Sequence, residues 1–395
     1  MLGRRDLILV ASGSAVSMFG TAITLIVLLL HVKDFGAYAV VAILIAEFVP
    51  VTLGAPLAGL LVDRLPNRRL MIVGQLVQAG AVFGVVSVLD RLPLVLVMLV
   101  LLGCGTAVVN PAAAALVPVI CGERDSTRGY AVVATGRTLG MLGGSAAGGL
   151  LVAALGTRDA LYLDAATYLA QACLLGFVRA ERDPRGTRTR RRRGAAMAGA
   201  RHVAADPVLR VAQVSLALAM LGVMIADVAN VFYVIDVLHG GAATLGILHA
   251  AWMIGVFIGV RLAGRVRTER VLLTGLGLSC CTMGAAMLVP ALLPFAAPVA
   301  AGYLLGGAAN GVQNVCNQGL VRSRTPQELR GRVFAAAGAI LIGSNVLGTV
   351  LGGAVVALAG ARWSFAIAGA ASLLAGLAAL RALRAVGMTK PASVT

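Results

Sequence analysis

The sequence predicts an all-α polytopic membrane protein with twelve transmembrane helices in two six-helix halves, and three observations predict it. Of 395 residues only 12% are charged and 59% are hydrophobic, at a mean hydropathy of +0.93, whereas soluble domains carry about 25% charged residues. Charge-poor stretches of about 20 residues, the length that crosses a bilayer, fill most of the chain. An offset of 204 residues also aligns 110–169 with 314–373 without a gap. The same numbers exclude a disordered, collagen-like or coiled-coil chain, and six cysteines in this length exclude a small disulfide scaffold.

The first six spans are 7–32, 35–62 (interrupted by Glu47), 70–89, 92–122, 129–157 (interrupted by Arg137) and 160–178 (interrupted by Asp164). The second six begin with 211–235, which contains Asp227, and 237–260. The stretch 271–321 is too long for one crossing, and Pro290, Pro294 and Pro298 mark the turn that divides it. Spans 333–361 and 363–380 follow. Arg4 and Arg5 precede an apolar run longer than the 7–15 residues of a signal sequence, so it is read as an uncleaved first helix.

Twelve spans place both termini on one side. With the termini in the cytoplasm, 28 of the 33 Lys and Arg fall on that side; Lys33, Arg91, Arg158 and Arg362 fall outside, and Arg137 lies within a span. This asymmetry follows the positive-inside tendency and explains the formal charge of +17 as a topology signal. The expected location is the inner (plasma) membrane. The cluster 190–193 lacks interleaved aromatics and a surrounding soluble domain, so anionic lipid headgroups, not nucleic acid, are its expected partner.

Within the repeat, Asn110 meets Asn314, Arg128 meets Arg332, Gly144, Gly148 and Gly149 meet Gly348, Gly352 and Gly353, and Gly156 and Arg158 meet Gly360 and Arg362. Spans 4–6 are therefore duplicated as spans 10–12, which implies two parallel six-helix halves. The expected division is an N-terminal bundle at 1–178, a basic cytoplasmic linker at 179–207 without an apolar face, and a C-terminal bundle with a short tail at 208–395.

The stretch Gly59-Leu-Leu-Val-Asp63-Arg64-Leu-Pro-Asn-Arg68-Arg69, between spans 2 and 3, resembles the signature loop of the major facilitator superfamily, with Pro66 where that loop usually has glycine. Span 5 reads Gly140-x-x-x-Gly144-Ser145-x-x-Gly148-Gly149 and resembles the antiporter motif of superfamily exporters, with Ser145 in place of proline. Glycines four apart leave a flat strip for close helix approach, so ordinary packing is the alternative reading. Asn110-Pro111 with Pro118, 163–166 and 330–333 look most like the twelve-span drug:proton antiporters that include macrolide-efflux and enterobactin-exporter proteins. The resemblance implies the major facilitator fold, a gate at Gly59, Asp63, Arg64, Arg68 and Arg69, and a path lined by spans 1, 4, 7 and 10. In that gate Asp63 would face a helix N-terminus and Arg64 a loop carboxylate such as Glu123 or Asp125.

An ionised side chain at the bilayer centre costs roughly 2.5–3.5 kcal/mol on insertion scales, so it usually faces a cavity or a partner. Glu47, Asp227 and Arg137 lie well inside their spans and are the proton-coupling candidates; for Arg137 a static ion pair with Glu47 is the alternative. Asp164 is placed near the outer end of span 6, in contact with water. Span 10 carries Asn310, Asn314 and Asn317 on one stripe with Gln313 beside it. These amides, Asn110, Asn230 and Trp252 are the substrate-cavity candidates, with interhelical hydrogen bonding or packing as the alternative. Ser14, Ser17, Thr21 and Thr24 form a hydroxyl stripe in span 1. The six cysteines have no zinc or redox spacing, no P-loop is present, and no metal or cofactor is expected.

These features give the expected function: not an enzyme, but a monomeric transporter that exports an amphipathic small molecule in exchange for protons, driven by the proton gradient. A proton-coupled importer of the same fold is the alternative, and a non-transporting sensor or membrane enzyme is the alternative of another class.

Overall fold

A computed structural model describes residues 2–122, 125–181, 195–264, 268–327 and 329–387. The described residues form thirteen α-helices and no strand. In chain order they are α1 Leu2–Val32, α2 Ala37–Leu53, α3 Ala55–Arg64, α4 Asn67–Ser87, α5 Leu92–Cys121, α6 Ser126–Leu155 and α7 Thr157–Gly176. Then follow α8 Ala195–Ala205, α9 Pro207–Phe232, α10 Ala242–Ala263, α11 Glu269–Leu292, α12 Ala296–Arg324 and α13 Arg330–Gly387. Eight helices, or nine if α2 and α3 count as one broken span, are long and apolar enough to cross a membrane by length and composition alone.

Thirteen helices differ from twelve expected spans for three local reasons. The second span is broken at Gly54, between Pro50 inside α2 and Pro56 in the first turn of α3. The last two spans form the continuous run α13, whose only non-helical residue is Gly360 at φ 80° and ψ 167°. Its repeat partner Gly156 has φ 85° and ψ 171° and separates α6 from α7. Both positions need the positive φ that glycine adopts without strain, so the duplicated sequence makes the same corner twice. The third difference is α8, which corrects the expectation of a featureless linker. Val203 is 5% exposed and packs with Leu209, Val321 and Val333. The cluster 190–193, Glu123 and the C-terminal tail lie outside the described residues.

The chain clusters into two compact units, Met1–Thr189 with Gly240–Ala250, and Arg190–His239 with Ala251–Thr395. In the first, α1 packs on α6 and α7, α4 on α5 and α7, and α2 and α3 on α5. Its two apolar clusters centre on Ile23, Ile43, Val82 and Leu161, and on Val10, Met71, Leu116 and Leu175. In the second, α9 packs on α13, α11 on α12 and α13, and α8 on α13. Asp206 starts α9 by accepting the amides of Val208 at 2.8 Å and Leu209 at 3.0 Å, with Pro207 preset for the first turn.

Candidate functional site

The glycines of α6 let α1 approach it at backbone distance. A Cβ at Gly140 would overlap the Ala15 carbonyl, one at Gly144 the Phe19 carbonyl, and one at Gly148 would lie 3.3 Å from Ile23 Cα. Gly149 instead faces the backbone of Ala242 at the start of α10, and Gly246 faces the Ser145 carbonyl. Thus four motif glycines serve two neighbours. The second unit repeats the arrangement: Gly348 meets Leu221 and Gly352 meets Ile225, in α13 against α9.

These contacts extend the internal repeat to helices whose sequences no longer show it. Because Gly144 and Gly348 are equivalent, so are their neighbours Phe19 and Leu221, and Ile23 and Ile225 follow in the same register. Gly103 lies against the Glu47 carbonyl and its equivalent Gly307 against the Trp252 carbonyl, which makes Glu47 and Trp252 counterparts. Gly20 sits against Asp164, and Gly222 against Ala368.

In the first unit, Glu47 lines a small enclosed cavity with Thr21, Thr24, Leu25, Leu28, Leu99 and Tyr168. Behind it lies Asp164, which is 0% exposed. Thr24 Oγ1 donates to Asp164 Oδ2 at 2.5 Å, and Thr21 Oγ1 is 2.8 Å from the Tyr168 hydroxyl. This burial corrects the expectation of a wetted Asp164: span 6 begins at Thr157, so the residue sits two turns inside α7. The expected Arg137–Glu47 pair is corrected as well. Arg137 Nη1 donates to Asn110 Oδ1 at 2.6 Å, across α6 and α5, and Nη2 lies 3.9 Å from Met18 Sδ.

The second unit places different chemistry at the equivalent positions. Asp227 corresponds to Leu25, Asn230 to Leu28, Tyr303 to Leu99 and Trp252 to Glu47. The Tyr303 hydroxyl donates to Asn230 Oδ1 at 2.7 Å, and the Tyr303 and Trp252 rings meet edge-on with centroids 6.3 Å apart. Asp227 lies within electrostatic reach of Tyr303. Tyr303 was not a candidate on sequence grounds, and its counterpart Leu99 explains why the repeat did not point to it.

The amides of α12 separate by face. Gln313 is fully buried with Nε2 2.9 Å from Cys280 Sγ of α11, and Asn317 Oδ1 accepts from Gln213 Nε2 of α9 at 2.6 Å. Asn314 Nδ2 bonds within the helix to the Asn310 carbonyl at 3.0 Å. Among the described residues, no group of three His, Cys, Asp or Glu could hold a metal ion.

A family model described as Major Facilitator Superfamily matches residues 10–341 and again 214–393. The chain belongs to the major facilitator superfamily. It is similar to a protein of Bacillus subtilis (strain 168) described as an uncharacterized MFS-type transporter, YfiS, at 23% identity over 84% of this chain and 81% of that one. Among solved structures it is similar to the POT family transporter PepTSo, with a TM-score of 0.75, 11% identity and coverage of 98% and 99% of the two chains. The nucleoside transporter NupG gives 0.73, 13%, 97% and 100%. A bacterial homologue of the human lysosomal transporter Spinster gives 0.74, 12%, 98% and 98%. At these identities the structural likeness shows the fold, and the superfamily makes the chain a multi-pass membrane transporter with a small-molecule substrate.

The loop that resembles the superfamily's signature lies between α3 and α4. Asp63, Arg64 and Arg69 are exposed, whereas Arg68 Nε donates to the Leu175 carbonyl at 3.0 Å and Nη2 to the Gly176 carbonyl, capping the end of α7. Asn67 is fully buried, and its amide, assigned from its neighbours with the nitrogen facing them, donates to the carbonyls of Val62 at 3.0 Å and Leu65 at 3.3 Å. Gly59 has open space where a Cβ would stand. Arg64 forms no ion pair with Asp125 among the described residues. In the second unit Arg324 joins three helices, bonding Asp206 Oδ2 at 3.1 Å and Glu269 Oε1 at 2.6 Å.

Proposed function

We propose that this superfamily transporter exports an amphipathic small molecule, such as a drug, antibiotic, siderophore or natural product, in exchange for protons by alternating access. It acts as a monomer in the inner membrane with both termini cytoplasmic and its basic loops on anionic headgroups. The observation that carries the reading is the glycine strip of α6, which combines the sequence pattern of superfamily exporters with backbone-distance packing on α1. A carboxylate in each unit, Glu47 and Asp227, supplies the proton chemistry; Arg137, bonded to Asn110, positions α6 on α5. The substrate meets Trp252, Asn230 and the α12 stripe, of which Asn314 is half-buried while Asn310 and Asn317 are buried, with Asn110 as the repeat counterpart of Asn314.

The test is efflux of a fluorescent drug from energised cells or uptake into inverted vesicles, with and without a protonophore. Accumulation unchanged by the protonophore in a verified preparation would remove proton coupling, and net uptake by cells would reverse the direction. Glu47→Gln and Asp227→Asn should each impair flux while leaving expression intact.

A further inference from the structure

We infer that Asp164 is an occluded proton site and that Glu47 is the group exchanging its proton with the transport path. The inference rests on the proton-coupled reading above and adds to it a residue that reading does not use.

Hydrogen counting around Asp164 points to the proton. Thr167 Oγ1 lies 2.7 Å from the Asp164 carbonyl oxygen and 3.2 Å from Asp164 Oδ1. A hydroxyl has one hydrogen to give, and the shorter contact takes it. Oδ1 then faces the lone pairs of Thr167 Oγ1, an arrangement that becomes a bond when Oδ1 carries a hydrogen and donates it. Oδ2 has the Thr24 hydroxyl at 2.5 Å. One donor hydrogen therefore serves a carboxyl that is 0% exposed, whereas an ionised carboxylate offers about four acceptor sites. Gly20 closes the site from α1, since a Cβ there would overlap Oδ1.

No cation offsets a negative charge at this position among the described residues. The ionisable groups acting on Asp164 are Glu47 from α2 and Tyr168 from its own helix. Around it, α1 offers Gly20 and Thr24 and α4 belongs to the apolar cluster of Val82 and Val85. The base of α6, Arg137, bonds Asn110 instead. Two carboxylates so placed in a low-dielectric interior do not both ionise, so the pair holds one proton. Glu47 is half-buried and lines the cavity with Thr24 and Tyr168. In the exchange an O–H bond on Glu47 breaks and one forms on Asp164; the negative charge moves the opposite way. The second unit has Trp252 and Ala368 at the equivalent positions, so the pair has no counterpart there.

The full chain reconstituted in lipid is titrated while infrared difference spectra follow the carboxyl C=O stretch, a measurement that needs no substrate. The expected result is a protonated carboxyl retained at neutral pH that Asp164→Asn removes. Glu47→Gln should leave it but displace its pH midpoint by about 1 unit or more, as expected for strongly interacting sites. A wild type without such a band, or a band unchanged in folded Asp164→Asn, overturns the assignment. If Asp164→Asn does not fold, Thr24→Val decides: loss of the Oδ2 bond should shift the band's frequency, and an unshifted band overturns the site. A band that behaves as expected in a protein whose flux ignores the proton gradient would retain the site and reject the coupled-transport reading.

Discussion

Arg137 is held by Asn110, with Nη1 2.6 Å from Oδ1, and this bond ties the arginine within span 5 to the middle of α5. A charge-assisted bond of this kind contributes roughly 1.5–3 kcal/mol, and its loss leaves a guanidinium poorly solvated. Asn110→Ala should therefore destabilise the protein in detergent by about that amount. Arg137→Met, which removes both the charge and the need for the acceptor, should cost less. The check is denaturant or thermal unfolding of the two variants side by side, and equal losses would mean that Asn110 does not serve Arg137.

The packing strip of α6 makes a sharper prediction because its glycines differ. Gly140 and Gly144 face backbone atoms of Ala15 and Phe19 that cannot yield, whereas a Cβ at Gly143 would stand 3.4 Å from the movable Phe19 ring. Gly144→Val should abolish a folded monodisperse preparation, while Gly143→Ala should retain it. Size-exclusion chromatography of the two variants checks this. Tolerance of Val at 144 would mean that α1 and α6 do not hold this separation.

How much of this was legible beforehand follows from where charge lies in the chain. The helical class was readable because the bilayer demands charge-poor runs of a fixed length. Asp164 was misplaced because its span was bounded by the nearest charges, while α7 begins at Thr157 and takes Arg158 and Asp159 into its first turn. Helix α8 was hidden because the arginine run beside it dominates the composition of 179–207, although the segment from Ala195 is rich in alanine. The repeat was visible only in spans 4–6 and 10–12, where glycines fix backbone contacts. In the other helices, pairs such as Glu47 and Trp252 share no chemistry, and only the backbone they touch relates them.

Arg324 gathers Asp206, which caps α9, and Glu269, in the first turn of α11. These groups are partly exposed, so the ion pairs themselves contribute little and are screened by salt. The cap is the larger part: Asp206→Ala should cost roughly 1 kcal/mol. Arg324→Gln should cost less, and its effect should shrink as ionic strength rises. Unfolding at two salt concentrations separates the two, and a salt-independent loss in Arg324→Gln would assign its role to packing.

On the proposed reading, the loop between α3 and α4 divides its residues between holding and moving. Arg68 caps the last turn of α7 by donating to the Leu175 and Gly176 carbonyls, so Arg68→Ala should loosen that helix end and lower thermal stability. Asp63 is exposed, where charged contacts contribute little to stability, so Asp63→Asn should change stability little while slowing turnover. Gly59 has room for a methyl group, so Gly59→Ala should fold normally, and any loss of flux would belong to the transport cycle. Stability and flux measured on all three variants test the division. A destabilised Asp63→Asn, or full turnover in it, would remove Asp63 from the moving part of the loop.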